Sequence, residues 1–170
     1  MKQWENIRYS TGEQYFSLTQ TIYYLLVIVP LGAFSLFYLE ARKDEFTPYL
    51  EDSLHNMAMV GLPLGALVVL ALGFVLYFRI RKVARTYPTL RLQLNGLFRA
   101  NLWKYIGLTL ATLFITLGMY YTHQEVMGAW AGVLIMFWSL NVPTRQRFGR
   151  ELKLSRPERE IMVYGKEIEA

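Results

Sequence analysis

Four stretches of this chain, residues 22–39, 57–78, 105–121 and 126–142, contain no Asp, Glu, Lys, Arg or His. The hydrocarbon core of a bilayer is ~30 Å thick, and a helix needs ~20 apolar residues to cross it. Uncharged runs of this length therefore predict membrane-crossing helices. The expected fold is all-α: an integral membrane four-helix bundle with both termini cytoplasmic. Its spans fall at about residues 15–39, 57–78, 103–121 and 125–142.

These spans use about half of the 170 residues. A separate folded domain needs at least ~50 residues, and no connecting segment is that long. Residues 1–170 are therefore read as a single membrane domain with a cytoplasmic tail at 143–170. The chain has no cysteine, which excludes disulfides, thiolate catalysis and Cys-based metal sites. Glu5 and Glu13 interrupt the N-terminal segment, so a cleavable signal peptide is not expected. The first span is expected to act as an uncleaved anchor.

A net charge of +5 suggests nucleic acid, but the placement of the bases argues for topology instead. Seven bases lie between Arg79 and Lys104 and seven between Arg145 and Lys166, while the 40–56 loop is acidic. Basic loops stay on the cytoplasmic side. The 79–104 loop and both ends are then inside and the 40–56 loop outside. This reading excludes nucleic acid as a partner and makes membrane lipid the first one.

Local signals mark the element ends. Thr11-Gly12-Glu13-Gln14 has the form of a capping box that starts a helix near Gly12. Pro30 falls inside the first span and is expected to kink it. Thr47-Pro48 reads as another helix start, and Thr86-Tyr87-Pro88 ends the second long helix. From Thr89, over about 89–101 and on to Leu102, Leu90, Leu94, Leu97, Phe98 and Leu102 share one face at helical spacing. That pattern predicts an amphipathic helix lying on the inner membrane surface. Thr122-His123-Gln124-Glu125 reads as the cap of the fourth helix, and Ser155-Arg156-Pro157-Glu158 as that of a short helix ended by Gly165. Tyr15, Tyr77, Phe78, Trp103 and Trp138 are expected in an aromatic belt at the inner interface, with Tyr38, Tyr120, Tyr121 and Trp130 at the outer one.

Candidate chemistry is sparse. Ion-coupled transport needs an ionisable group within the membrane, and the four runs have none. A neutral polar path would be lined by Gln20, Tyr24, Thr109, Thr112 and Thr116. The competing reading is that these threonines bond to their own helix carbonyls. His55, His123, Glu51 and Glu125 are metal-ligand types, but they form no spacing motif. No catalytic residue, metal or cofactor is assigned. Gly61 with Gly65, and Gly128 with Gly132, are small-xxx-small pairs that let helices approach closely. Arg79, Arg81, Lys82, Arg85, Arg91 and Arg99 are candidate lipid-headgroup contacts.

Residues 90–162 carry a basic Leu97-Phe98-Arg99-Ala100-Asn101 segment, a polar turn at Thr122, an Asn141-Val142-Pro143-Thr144 exit and a Glu151-Leu152-Lys153-Leu154-Ser155 stretch with Glu158 beyond. In this the chain resembles a type of uncharacterised bacterial four-span membrane protein. Relatives of that type often have Arg where this chain has Asn141. The resemblance implies a bacterial inner-membrane location and brings no function. The function expected is that of a non-enzymatic membrane protein acting through helix contacts, as an accessory subunit or a self-associating bundle. Its partners would be a second copy or another membrane protein. The alternative is a small transporter or channel for an uncharged or weakly charged solute.

Overall fold

The computed structural model describes residues 9–40 and 52–168. These form six helices and no strand: α1 (Gly12–Glu40), α2 (Asp52–Ala84), α3 (Leu90–Thr122), α4 (Glu125–Leu140), α5 (Arg145–Leu152) and α6 (Arg156–Tyr164). Three of them, α1, α2 and α3, are long and apolar enough to cross a membrane. The α4 helix has 16 residues, about 24 Å at 1.5 Å per residue. It reaches spanning length only together with α5, from which it is bent by 81°. Both α1 and α2 continue through their internal prolines, Pro30 and Pro63. The Thr47-Pro48 start lies outside the described residues.

The described chain divides into two compact units. The first comprises residues 9–24, 75–104 and 142–168, and the second residues 25–40, 52–74 and 105–141.

In the first unit, Leu94, Leu97 and Phe98 of α3 are buried with Tyr9, Tyr15, Phe148, Leu152 and Met162. The apolar face of α3's first turns is thus covered by protein, not laid on lipid. Helical spacing reveals that a face is apolar, but not what covers it. Tyr15 and Tyr77 are likewise core residues rather than belt residues. The Tyr15 ring meets Tyr9 and Phe148 edge-on at 5.2 and 5.3 Å, and its hydroxyl donates to the Leu94 carbonyl at 3.0 Å. Such ring pairs contribute ~0.5–1.5 kcal/mol each beyond burial. An antiparallel bridge closes the unit: Gly12 N–H donates to the Lys166 carbonyl at 3.0 Å, and Ile168 N–H to the Ser10 carbonyl at 2.8 Å.

Caps follow the sequence at two of the three expected capping boxes. At α6 the full box forms: Ser155 N–H and Oγ both donate to Glu158 Oε2, at 2.8 and 2.6 Å. Gly165 closes that helix at φ 69, which suits a residue with no Cβ. At α1, Gln14 N–H donates to Thr11 Oγ1 at 3.2 Å, while the Gln14 side chain reaches back to Ser10 N–H at 2.8 Å rather than to Thr11. Thr122 does not cap α4. It is still inside α3, and its hydroxyl donates back to the Gly118 carbonyl at 2.7 Å. The N-cap is Gln124, with no side-chain bond, and His123 turns the chain at φ 52. The α5 helix is an addition to the expected architecture. Phe148 and Leu152, spaced by four and both buried, form its inward face.

The second unit has its own core of Ala66, Ala111, Ile115, Met119, Met127, Ala131 and Leu134. Its α2 and α3 helices approach closely at Gly73 and Gly107: a Cβ on Gly107 would stand 2.9 Å from the Gly73 Cα and 3.1 Å from the Val69 carbonyl oxygen. Trp138, expected at an interface, is 2 % exposed and belongs to this interior.

Candidate functional site

The second unit manages its polar groups locally. Thr109, Thr112 and Thr116 each donate to the carbonyl four residues earlier, at 2.9, 2.8 and 2.8 Å. Thr109 also contacts the Leu26 carbonyl at 3.2 Å, and Thr112 accepts from Trp138 Nε1 at 3.2 Å. Thr112 and Thr116 are buried. Gln20 and Tyr24 belong to the first unit, where Gln20 Nε2 donates to the Tyr24 hydroxyl at 3.4 Å in an exposed setting.

The glycine pairs divide. Space for a Cβ is open at Gly61 and Gly132, whereas at Gly65 a Cβ would press on the Phe114 ring at 3.0 Å. Gly128 faces Tyr38 Cε2 at 3.7 Å. Gly128 and Gly132 line a crevice of about 500 Å³ with Phe34, Tyr38, Met119 and Ala131. His123 and Glu125 also line it. Burial holds the His123 imidazole below its ordinary value, so the neutral ring is favoured. Among the described residues no group of three metal-ligating side chains forms, and Glu51 lies outside those residues.

The first unit contains a charged cluster that sequence reasoning missed. Lys104 is 1 % exposed, with its Nζ 4.5 Å from the centre of the Tyr77 ring. The charges acting on it are Glu151, Arg147 and Arg81. Arg147 Nε donates to Glu151 Oε1 at 2.6 Å. Arg85 Nε donates to the Glu151 carbonyl at 2.7 Å. Arg81 Nη1 donates to the Tyr77 hydroxyl at 3.0 Å, and its guanidinium lies 4.9 and 5.0 Å from the Tyr77 and Phe78 ring centres. Among the described residues, Arg81 Nε and Glu151 Oε2 are buried with no hydrogen-bond partner. A base at the end of an apolar run ordinarily reads as a side chain snorkelling to water. The missed signal was in the tail, where Arg147 and Glu151 stand at salt-bridge spacing on the helix that carries Phe148 and Leu152.

Other candidate headgroup bases are placed differently. Arg79, Lys82 and Arg99 are exposed, whereas Arg91 sits over the Tyr9 ring at 5.7 Å. Tyr9 donates to Asn95 Oδ1 at 2.7 Å, and burial pushes its hydroxyl above the ordinary tyrosine range against the opposing effect of Arg91.

Comparison of the chain with protein-family models, with curated proteins and with solved structures finds no match in any of the three.

Proposed function

We propose that this is a four-span, multi-pass protein of a bacterial inner membrane, with both termini cytoplasmic, that acts through helix contacts and not as an enzyme. It serves as an accessory subunit of a membrane assembly or as a self-associating bundle. The observation that carries this reading is the open, small-residue surface of the second unit. At Gly61 and Gly132 the helix surface is uncovered, and the Gly132 side opens into the crevice bounded by Phe34, Tyr38 and Met119. Backbone exposed in this way lets another transmembrane helix approach closely, and close packing is the main source of helix association in lipid.

The channel reading is weaker for a specific reason. The hydroxyls that would line a polar path already bond to helix carbonyls and to Trp138.

Crosslinking in intact membranes followed by mass spectrometry tests the contact reading. A defined oligomer or a recurrent membrane-protein partner is expected, and Gly132→Leu should reduce its yield. A monomer with no recurrent neighbour would overturn it. Single cysteines at Thr109, Thr112 and Thr116 should resist water-soluble thiol reagents. Labelling of all three would favour the transporter instead.

A further inference from the structure

The second unit contains a break in a helix ladder and a side chain that fills it. Proline has no N–H, so Pro30 cannot donate to the carbonyl four residues earlier, that of Leu26. A hydroxyl from another helix meets that carbonyl instead: Thr109 Oγ1 of α3 donates to Leu26 O at 3.2 Å. The same hydroxyl donates to Tyr105 O at 2.9 Å. It has one proton, so the two carbonyls compete for it. A threonine on a neighbouring helix is one means by which a transmembrane helix tolerates an internal proline.

The break lies where the packing changes. Pro30 is buried, whereas no residue from 31 to 40 is. This arm of α1 is about 15 Å long at 1.5 Å per residue. Its Phe34 and Tyr38 pack against the core of the unit and line the crevice with Gly128 and Gly132. Sparse burial beyond a proline marks the part of a helix that moves most easily. Movement of this arm carries one wall of the crevice with it.

We propose that Pro30 and Thr109 form a hinge that sets the position of the 31–40 arm and hence the width of the crevice. Donation from Thr109 to Leu26 holds the arm in the position seen here; donation to Tyr105 alone frees it. Thr109 is thus a positioning residue for the helix-docking surface proposed above, and this role rests on that reading.

The test uses the full chain in nanodiscs. The sequence has no cysteine, so introduced cysteines carry spin labels cleanly. Leu36 and Ile28 lie on either side of Pro30 and are 70 % and 66 % exposed, and Met136 of α4 is 56 % exposed. Electron–electron resonance then reads the Leu36–Met136 distance for the arm and the Ile28–Met136 distance as its control. A 20° change of bend moves the helix at Leu36 by ~3 Å. Thr109→Val should shift or broaden the first distance by about that much and leave the second unchanged. Thr109→Ser keeps the hydroxyl and should behave as the wild type. Pro30→Ala restores the N–H for Leu26, so Thr109→Val should be silent in that background. The hinge is overturned if Thr109→Val moves neither distance or both alike, or if its effect persists with Pro30→Ala. Crosslinking of the same variants separates the two readings. An arm that moves in a chain with no crosslinked neighbour sinks the docking surface and leaves the hinge standing; a still arm with normal crosslinking sinks the hinge alone.

Discussion

The two units handle polarity in opposite ways. In the second, the hydroxyls of Thr109, Thr112, Thr116 and Thr122 turn back on their own helix, and Trp138 of α4 donates to Thr112 of α3. In the first, polar and charged groups reach partners far along the chain: Tyr9 to Asn95, Tyr15 to Leu94, Arg85 to Glu151 and Arg145 to Glu13. Hydrocarbon provides no solvent for an unmatched polar group, so local bonding is the safe solution in any helix that crosses a membrane. Long-range polar contacts add a specificity that apolar packing lacks.

This contrast yields a graded set of predictions. The largest effect belongs to the first unit. Tyr15→Ala removes a fully buried ring and its bond to Leu94, and should destabilise by ~3–5 kcal/mol in thermal or denaturant unfolding. A loss below ~1 kcal/mol would mean that lipid rather than protein surrounds that ring. Next comes Gly107→Leu in the second unit. It forces side-chain atoms onto the Gly73 backbone and should cost ~1–3 kcal/mol, while the same change at open Gly61 should cost little in the isolated protein. Equal costs would break the assignment of the α2–α3 approach to Gly73 and Gly107. A smaller effect is expected inside the threonine series. Thr112→Val loses the bond from Trp138 and should cost ~1 kcal/mol, with a red shift or intensity change in tryptophan emission. Thr116→Val breaks only a back-bond to its own helix and should be nearly silent.

The smallest effect is one of pH. Burial lowers the His123 pKa, so the folded protein keeps a neutral ring where the unfolded chain begins to bind a proton. The unfolded state therefore takes up more protons as pH falls through the ordinary imidazole value, and the folded state loses stability on the acid side. The unfolding midpoint should drop between about pH 7 and about pH 5, and His123→Gln should reduce that drop. An unchanged slope would place the pH dependence elsewhere.

Much of the secondary structure was legible in the sequence. Charge-free runs marked the long helices, Pro88 the end of α2, and Ser155 and Gly165 the limits of α6. The sequence said less about what those helices touch. The spacing of Leu94, Leu97 and Phe98 is the same whether lipid or Phe148 covers them. Trp138 and Tyr77 have the composition of belt residues and are buried. Gly107 escaped notice because its partner is Gly73 rather than a second glycine four residues away. Lys104 escaped because the carboxylate beside it, Glu151, is 47 residues further along the chain. Periodicity records which face of a helix is apolar, whereas the charged cluster depends on contacts across long loops.

The bond between Ser10 and Ile168 also bears on assembly. The first unit takes its core from the beginning, middle and end of the chain, with Tyr9, Leu94 and Met162 in one cluster. During synthesis it cannot close until residue 168 has left the ribosome, whereas the second unit is complete at residue 141. Leu94, Leu97 and Phe98 must therefore wait, with their apolar face uncovered, for the last segment to arrive. Truncation within α6 would leave a chain that inserts but never finishes this half, a natural substrate for membrane proteases.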